Sequence, residues 1–289
     1  MSLGDRLRAH GFSPKKRFGQ NFLTDVHASR AIAEAATTPT GGSVLEIGPG
    51  LGALTKHLVE RATKVVAVEY DREIIPLLTE ELPEPLADGR LAIVEADALT
   101  IDWLAPIKDG PRPHAIAGNL PYLITGRLIE RATQLADEID RAVFMVQLEV
   151  AERLIAGPGT DAYGALSVFV QAAFEVKKVI TVRGGAFFPR PNVDSAVVLL
   201  VPHRPRRAVE TKAFQTVVKA AFGMRRKTLR NTWKGIFGWS KEELSANAVS
   251  AGISLDARGE TLGVEAFARM AALAGERGGS PAEEPPAVE

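Results

Sequence analysis

The pentapeptide GNLPY (residues 118–122) sets an amide, Asn119, beside a conformationally fixed proline, Pro121, and an aromatic ring, Tyr122. Pro121 pushes Leu120 out of the helical region, so the turn is extended. Such a group suits a flat, nitrogen-bearing substrate. The lone pair of an aromatic amine is delocalised into its ring, which makes the amine a poor nucleophile. The Asn119 oxygen and the Leu120 carbonyl can accept its two protons, draw the nitrogen toward tetrahedral geometry and free that lone pair. Tyr122 can stack on the ring. No strong general base is required, so this would be catalysis by positioning and preorganised hydrogen bonds. The plain alternative is a strand-end turn with Tyr122 in the core.

Two further stretches supply groups for a nucleoside. EIGPGLG (46–52) is a glycine-rich turn in which Gly48, Gly50 and Gly52 let the backbone approach a ligand. Glu69 follows Gly48 by 21 positions and closes the next apolar run, where a carboxylate can accept both ribose hydroxyl protons. Asp97 ends EAD (95–97), placed to accept a hydrogen bond from an adenine amino group or simply to cap a helix. The glycine spacing is G-x-G-x-G, not the G-x-G-x-x-G of pyrophosphate-binding dehydrogenases. Glycines and acid alone do not separate a nicotinamide enzyme from a methyltransferase, although the former lacks a proton-transfer dyad near these positions.

Elements must carry these groups to one place. VLEIG (44–48), KVVAVEYD (64–71), LAIVEAD (91–97), HAIAGN (114–119) and AVFMVQ (142–147) are short, continuously apolar runs separated by amphipathic segments. Strands of this kind are buried on both faces, which predicts a doubly wound α/β domain with a parallel sheet. Its strand ends form the ligand edge. A helix is expected over 51–62 and another over 72–82, kinked or broken at Pro76. FEVKKVITV (174–182) and VDSAVVLLVP (193–202) lack a long helix between them and predict an antiparallel hairpin at the sheet edge. From 205 the pattern is helical, including a continuous helix over RKTLRNTWKGIF (226–237), which predicts a small C-terminal all-helical domain. The segment 276–289 is rich in Gly, Pro and Glu and is expected to be disordered.

Composition narrows the classes. The chain has 289 residues, 46% of them hydrophobic, and a formal charge of zero. That charge is segregated: residues 69–110 hold 11 acidic and 3 basic residues, residues 177–234 hold 14 basic and 2 acidic. A polyanion-binding surface on one part of the molecule follows. The sharpest basic cluster is Arg225, Arg226, Lys227 and Arg230; at helical spacing Arg226 and Arg230 share a face, with Trp233 nearby. Phosphate contacts are the functional reading and a solvated helix face the plain one. Absence of cysteine excludes disulfides and thiolate chemistry. The five histidines show no ligand spacing, so no metal site is expected. With no secretory signal or membrane-length apolar run, a cytoplasmic protein is expected.

KKRFGQNFL (15–23), EIGPGLGALT, GNLPY, AGP…YGALSV (156–168), AFFPRPNVDSAV (186–197) and RRKTLRN (225–231) stand in an order that resembles the bacterial KsgA family, over roughly residues 12–270. Those are small-subunit ribosomal RNA adenine dimethyltransferases. The resemblance implies a Rossmann-like methyltransferase sheet and S-adenosylmethionine as the methyl donor. It further implies dimethylation of two adjacent adenosines in the 3′-terminal hairpin of 16S rRNA, in the pre-30S particle, by a monomer. It makes Asn21, Leu23, Gly48, Glu69, Asp97 and Asn119 cofactor contacts. Asn119, Leu120, Pro121 and Tyr122 become the catalytic turn, and Phe187 a second ring opposite Tyr122 that would sandwich a flipped-out adenine. Edge-strand core packing is the other reading of Phe187. The implied domains are a cofactor-covering segment (1–24), a methyltransferase domain (25–204), a helical RNA-binding domain (205–275) and the tail. Two positions depart from the family pattern, Leu148, where many relatives carry lysine, and the apolar LITG that follows Tyr122. A large-subunit rRNA methylase and a non-catalytic 30S docking factor are the rival readings.

Overall fold

The computed structural model describes residues 7, 11–15, 18–224 and 226–275; Arg225 and the segment 276–289 lie outside them. The chain divides into two compact units, Met1–Ile155 with Ala173–Pro205, and Ala156–Ala172 with Arg206–Glu289.

The first unit begins with a two-residue strand, β1 (Phe22–Leu23), and helix α1 (Val26–Ala36), whose N-cap Asp25 accepts from the Ala28 N–H. Then β2 (Ser43–Ile47), α2 (Thr55–Val59), β3 (Lys64–Glu69), α3 (Ile74–Glu81), α4 (Pro83–Ala87) and β4 (Leu91–Glu95) follow. After β5 (His114–Asn119), α5 (Thr125–Gln134), β6 (Arg141–Gln147) and α6 (Leu148–Ile155) comes the antiparallel part. This consists of β7 (Phe174–Val182), the short β8 (Phe187–Phe188) and β9 (Ser195–Pro202). The main sheet has the order β4-β3-β2-β5-β6-β9-β7, with β2 to β6 parallel and β7 and β9 antiparallel. Every residue of β2 is buried, as the apolar runs demand of a central strand covered by helices on both faces. Edge strand β4 buries only Leu91 fully.

Local chemistry shortens one expected helix and leaves another unbroken. The chain from Leu51 to Leu54 stays in turns and α2 starts at Thr55, because Gly50 and Gly52 hold φ of +55° and +79°. Pro76 neither kinks nor breaks α3; it lies in the first turn, where a missing N–H has no acceptor to lose. Gly118 is required by its neighbour: a Cβ there would meet the Ile47 carbonyl oxygen at 2.5 Å. Gly118→Ala is therefore expected to push β5 from β2 and destabilise the protein by about 1–3 kcal/mol, read in chemical unfolding.

The second unit holds α7 (Ala165–Ala173, to Ala172), α8 (Lys212–Phe222), α9 (Leu229–Thr232), α10 (Lys241–Ser250) and α11 (Val264–Gly275). Thr211 caps α8, and Ser240 with Glu243 forms a capping box on α10. Residues 156–172, expected in the first domain, pack here instead. Tyr163, Val168 and Ala172 join Phe214, Trp233 and Phe267 in one apolar core, and the Tyr163 hydroxyl donates to the Leu262 carbonyl at 2.9 Å. Among the described residues no helix is long and apolar enough to cross a membrane.

Candidate active site

Parallel strands in register bring their C-terminal ends to one edge: Glu46 pairs with Ala67 and Ala117, and Glu69 with Glu95. There β3 and β5 end in Glu69 and Asn119, and the loops that leave β2 and β4 carry Gly48 and Asp97. Together with residues 18–23 they line a cavity of about 290 Å³. All six expected cofactor contacts, Asn21, Leu23, Gly48, Glu69, Asp97 and Asn119, border it, as do Leu120, Pro121 and Tyr122. Among the described lining residues four are carboxylic acids, Glu46, Glu69, Asp71 and Asp97, and none is Lys, Arg or His. Charge of that sign opposes a pyrophosphate and favours a cation.

Gly48 has φ +65°, and no atom lies within 4 Å of where its Cβ would be, so its backbone is open to a ligand. Glu69 is buried, and backbone N–H groups fix its carboxylate. Gly50 donates to Oε2 at 3.2 Å, while Tyr70 and Asp71 donate to Oε1 at 2.9 and 2.8 Å. A carboxylate accepts about four such bonds, which leaves capacity for a hydroxyl. Burial pushes the Glu69 carboxyl above the usual range against the pull of these N–H groups. Asp97 accepts the Leu99 N–H at 2.8 Å and so caps its own turn as well as facing the cavity. Arg131 on α5 holds that turn in place: its guanidinium donates to the Leu99 and Ile101 carbonyls and lies over the buried Trp103 ring.

The amide turn is fixed from two directions. Asn119 Nδ2 donates to the Asn21 carbonyl at 2.9 Å, which orients the amide and reserves Oδ1 as an acceptor. Tyr122 Oη and Ser195 Oγ share a hydrogen bond of 2.7 Å, and burial pushes the Tyr122 phenol up. Ser195 lies within AFFPRPNVDSAV, yet its 73-residue separation from Tyr122 gave no local sign of this role. Removing it in Ser195→Ala frees the ring; a fall of about fivefold in kcat is expected, with folding retained, measured by steady-state kinetics.

Residues 18–23 are held over the cavity by a clasp that the spacing did not disclose. Asp71 accepts from Lys15 Nζ at 2.7 Å and Gln20 Nε2 at 2.8 Å, and the Lys15 N–H donates to Gln20 Oε1 at 2.7 Å. Burial opposes its charge, but these bonds hold the Asp71 carboxyl below its usual value. A second acid two positions beyond Glu69 was the available signal.

Two expectations are corrected. Phe187 does not border the cavity; it is 5% exposed and packs with Leu23, Ile32 and Val197. Alternation along β8, set by the pairing of Leu23 with Phe187, turns that ring into the core. Arg226 does not share a helical face with Arg230, because Thr228 is an extended N-cap and α9 begins only after it. Arg230 pairs with Asp256 at 3.0 Å. Trp233 is fully buried and its indole N–H donates to the Val217 carbonyl at 3.0 Å.

A cavity that opposes pyrophosphate, suits a cationic nucleoside and sits on a doubly wound sheet defines a Rossmann-like methyltransferase. Residues 11–275 match the ribosomal RNA adenine dimethylase family, and the chain belongs to it. It is 41% identical over 268 residues to the ribosomal RNA small subunit methyltransferase A of Geobacter sulfurreducens, covering 91% of this chain and 96% of that protein. Among solved structures it resembles a dimethyladenosine transferase from Plasmodium falciparum, with a TM-score of 0.72 and 24% identity over 89% of this chain and 98% of that one, a likeness of fold. The 23S rRNA methyltransferase ErmE aligns with a TM-score of 0.66 and 28% identity, covering 87% and 98% respectively.

Proposed function

We infer that this chain dimethylates adenosine amines of 16S rRNA, with its chemistry at the four strand ends of the first unit. When bound, S-adenosylmethionine supplies an electrophilic methyl group on a positively charged sulfur. The donor set fits it: Glu69 retains acceptor capacity for ribose hydroxyls, Asp97 stands where an adenine amine can donate, and the open backbone at Gly48 admits close approach. Asn21 and Leu23 cover the cavity from the N-terminal side. Asn119 Oδ1 and the Leu120 carbonyl accept hydrogen bonds from the N–H groups of the target amine and free its lone pair, and the surplus proton leaves for solvent once the nitrogen carries the positive charge. Tyr122, anchored on Ser195, stacks on the base.

The carrying observation is the Asn119 amide, locked by the Asn21 carbonyl so that its oxygen is the acceptor. The basic residues of the second unit, Arg226, Lys227 and Arg230 among the described ones, contact rRNA phosphates. The segment 1–24 covers the cofactor, the rest of the first unit carries the chemistry, and the second unit, residues 156–172 with 206–275, binds RNA. The protein works as a cytoplasmic monomer on the pre-30S particle, on the two adjacent adenosines of the 3′-terminal hairpin. Purified, unmethylated 30S and 50S subunits offered with labelled S-adenosylmethionine test this. Label recovered as dimethyladenosine from the terminal 16S hairpin supports the reading. Transfer to 50S alone would move the chain's activity toward that of its 23S-modifying relative, and no transfer to either would leave a docking role.

A further inference from the structure

One carboxyl at the cavity has no part in the chemistry above. Glu46, the penultimate residue of β2, is 1% exposed and borders the cavity, and its Oε2 has no hydrogen-bond partner. Among the described residues no Lys, Arg or His forms an ion pair with it, although α2 carries the exposed Lys56 and the buried His57. β5 places Ala117 alongside, while β3 places Ala67 there and, at its end, the Glu69 carboxylate. α2 brings Thr55, whose hydroxyl lies against the Glu46 carboxyl, and His57, whose Nδ1 lies 3.3 Å from Glu60. Of the other acids at the cavity, Asp71 is paired with Lys15, and Asp97 holds the Leu99 N–H. A charged carboxylate at Glu46 is tolerated only against a positive ligand. Burial, opposed by Thr55 and reinforced by Glu69, pushes Glu46 up from 4.5 to about 8.

We propose that Glu46 senses the charge of the cofactor: it holds a proton in the cofactor-free protein, releases it to solvent when the cationic donor enters, and recovers one when the uncharged sulfide is left. This rests on the cofactor assignment above and deepens it. Glu46 gives the site a preference for the charged donor over the spent product and couples loading to pH. Affinity for a cation follows the ionised fraction, so donor binding tightens as pH rises toward about 8 and levels off beyond it.

The test is titration calorimetry of the full chain in two buffers of different protonation enthalpy at pH 7. The probes are S-adenosylmethionine and S-adenosylhomocysteine, which share nucleoside and amino acid but differ in charge at sulfur. Wild type is expected to release close to one proton with the former and much less with the latter, and its donor affinity to rise about tenfold from pH 6 to pH 7. Glu46→Gln, isosteric with the protonated acid, is expected to lose the release and to flatten the pH slope to the part that Glu69 contributes. Thermal unfolding supplies an independent readout. A carboxyl raised on folding supports the fold below about 4.5 and loses that contribution as pH climbs through about 8. Glu46→Gln should therefore gain midpoint temperature over wild type at pH 9 and match it at pH 5. No such gain, or proton release that survives in Glu46→Gln, overturns the proposal and leaves the cofactor reading intact. Failure of wild type to bind either nucleoside overturns both.

Discussion

Replacing Asn119 with alanine lowers the rate of methyl transfer to 30S subunits by about 10²- to 10³-fold, the usual size of losing one preorganised acceptor or donor at a reacting centre. The amide contributes two things that the structure separates. Its Nδ2 holds the Asn21 carbonyl at 2.9 Å, a partly exposed bond. Its Oδ1 is the acceptor that pulls a proton of the target amine and releases the lone pair. The first is worth about 1 kcal/mol, so cofactor affinity falls by no more than about fivefold. The second exists only as the nitrogen becomes tetrahedral, so its loss appears in kcat rather than in binding. Single-turnover transfer and calorimetric cofactor binding distinguish the two. A variant that transfers methyl within about threefold of wild type would remove Asn119 from the chemistry.

Glu69→Gln raises the dissociation constant for S-adenosylhomocysteine by about 100-fold, a loss of about 2.7 kcal/mol. The carboxylate is preset by the Gly50, Tyr70 and Asp71 N–H groups. Glutamine can keep its oxygen toward Tyr70 and Asp71, but its NH₂ then faces the Gly50 N–H, donor against donor. The ribose loses a charged acceptor, worth about 1.5–3 kcal/mol. Acidification acts the same way: burial already raises the Glu69 carboxyl, so its acceptor capacity is lost as pH falls through that raised value. Calorimetry of the variant at pH 8 measures the effect. A dissociation constant unchanged within about threefold would place the ribose on another group.

The sheet and its strand ends were legible because each central strand is a continuously apolar run and parallel strands deliver their C-terminal ends to one edge. Glu69, Asp97 and Asn119 each close such a run, so finding the runs found the residues. What escaped depended on distant pairing. The clasp joins Lys15 to Asp71 and the tyrosine anchor joins Tyr122 to Ser195, and neither spacing has a local signature. Phe187 and Phe188 are adjacent, and only the pairing of β8 with β1 decides which ring enters the core. The expected basic helix failed for a similar reason. The Leu229 and Arg230 N–H groups donate to the Ala257 and Leu255 carbonyls at 2.8 Å each, so α9 starts from a partner segment and Arg226 and Lys227 fall before it.

The central claim is that one cavity at four strand ends holds the donor and aims it at the Asn119 turn. A crystal structure with S-adenosylhomocysteine tests it most directly. The account predicts ribose hydroxyls within hydrogen-bonding distance of Glu69, the adenine amine on Asp97, the amino-acid end along Gly48 and the sulfur facing Asn119 and Tyr122. A ligand found elsewhere, or one whose sulfur points away from Asn119, would contradict it.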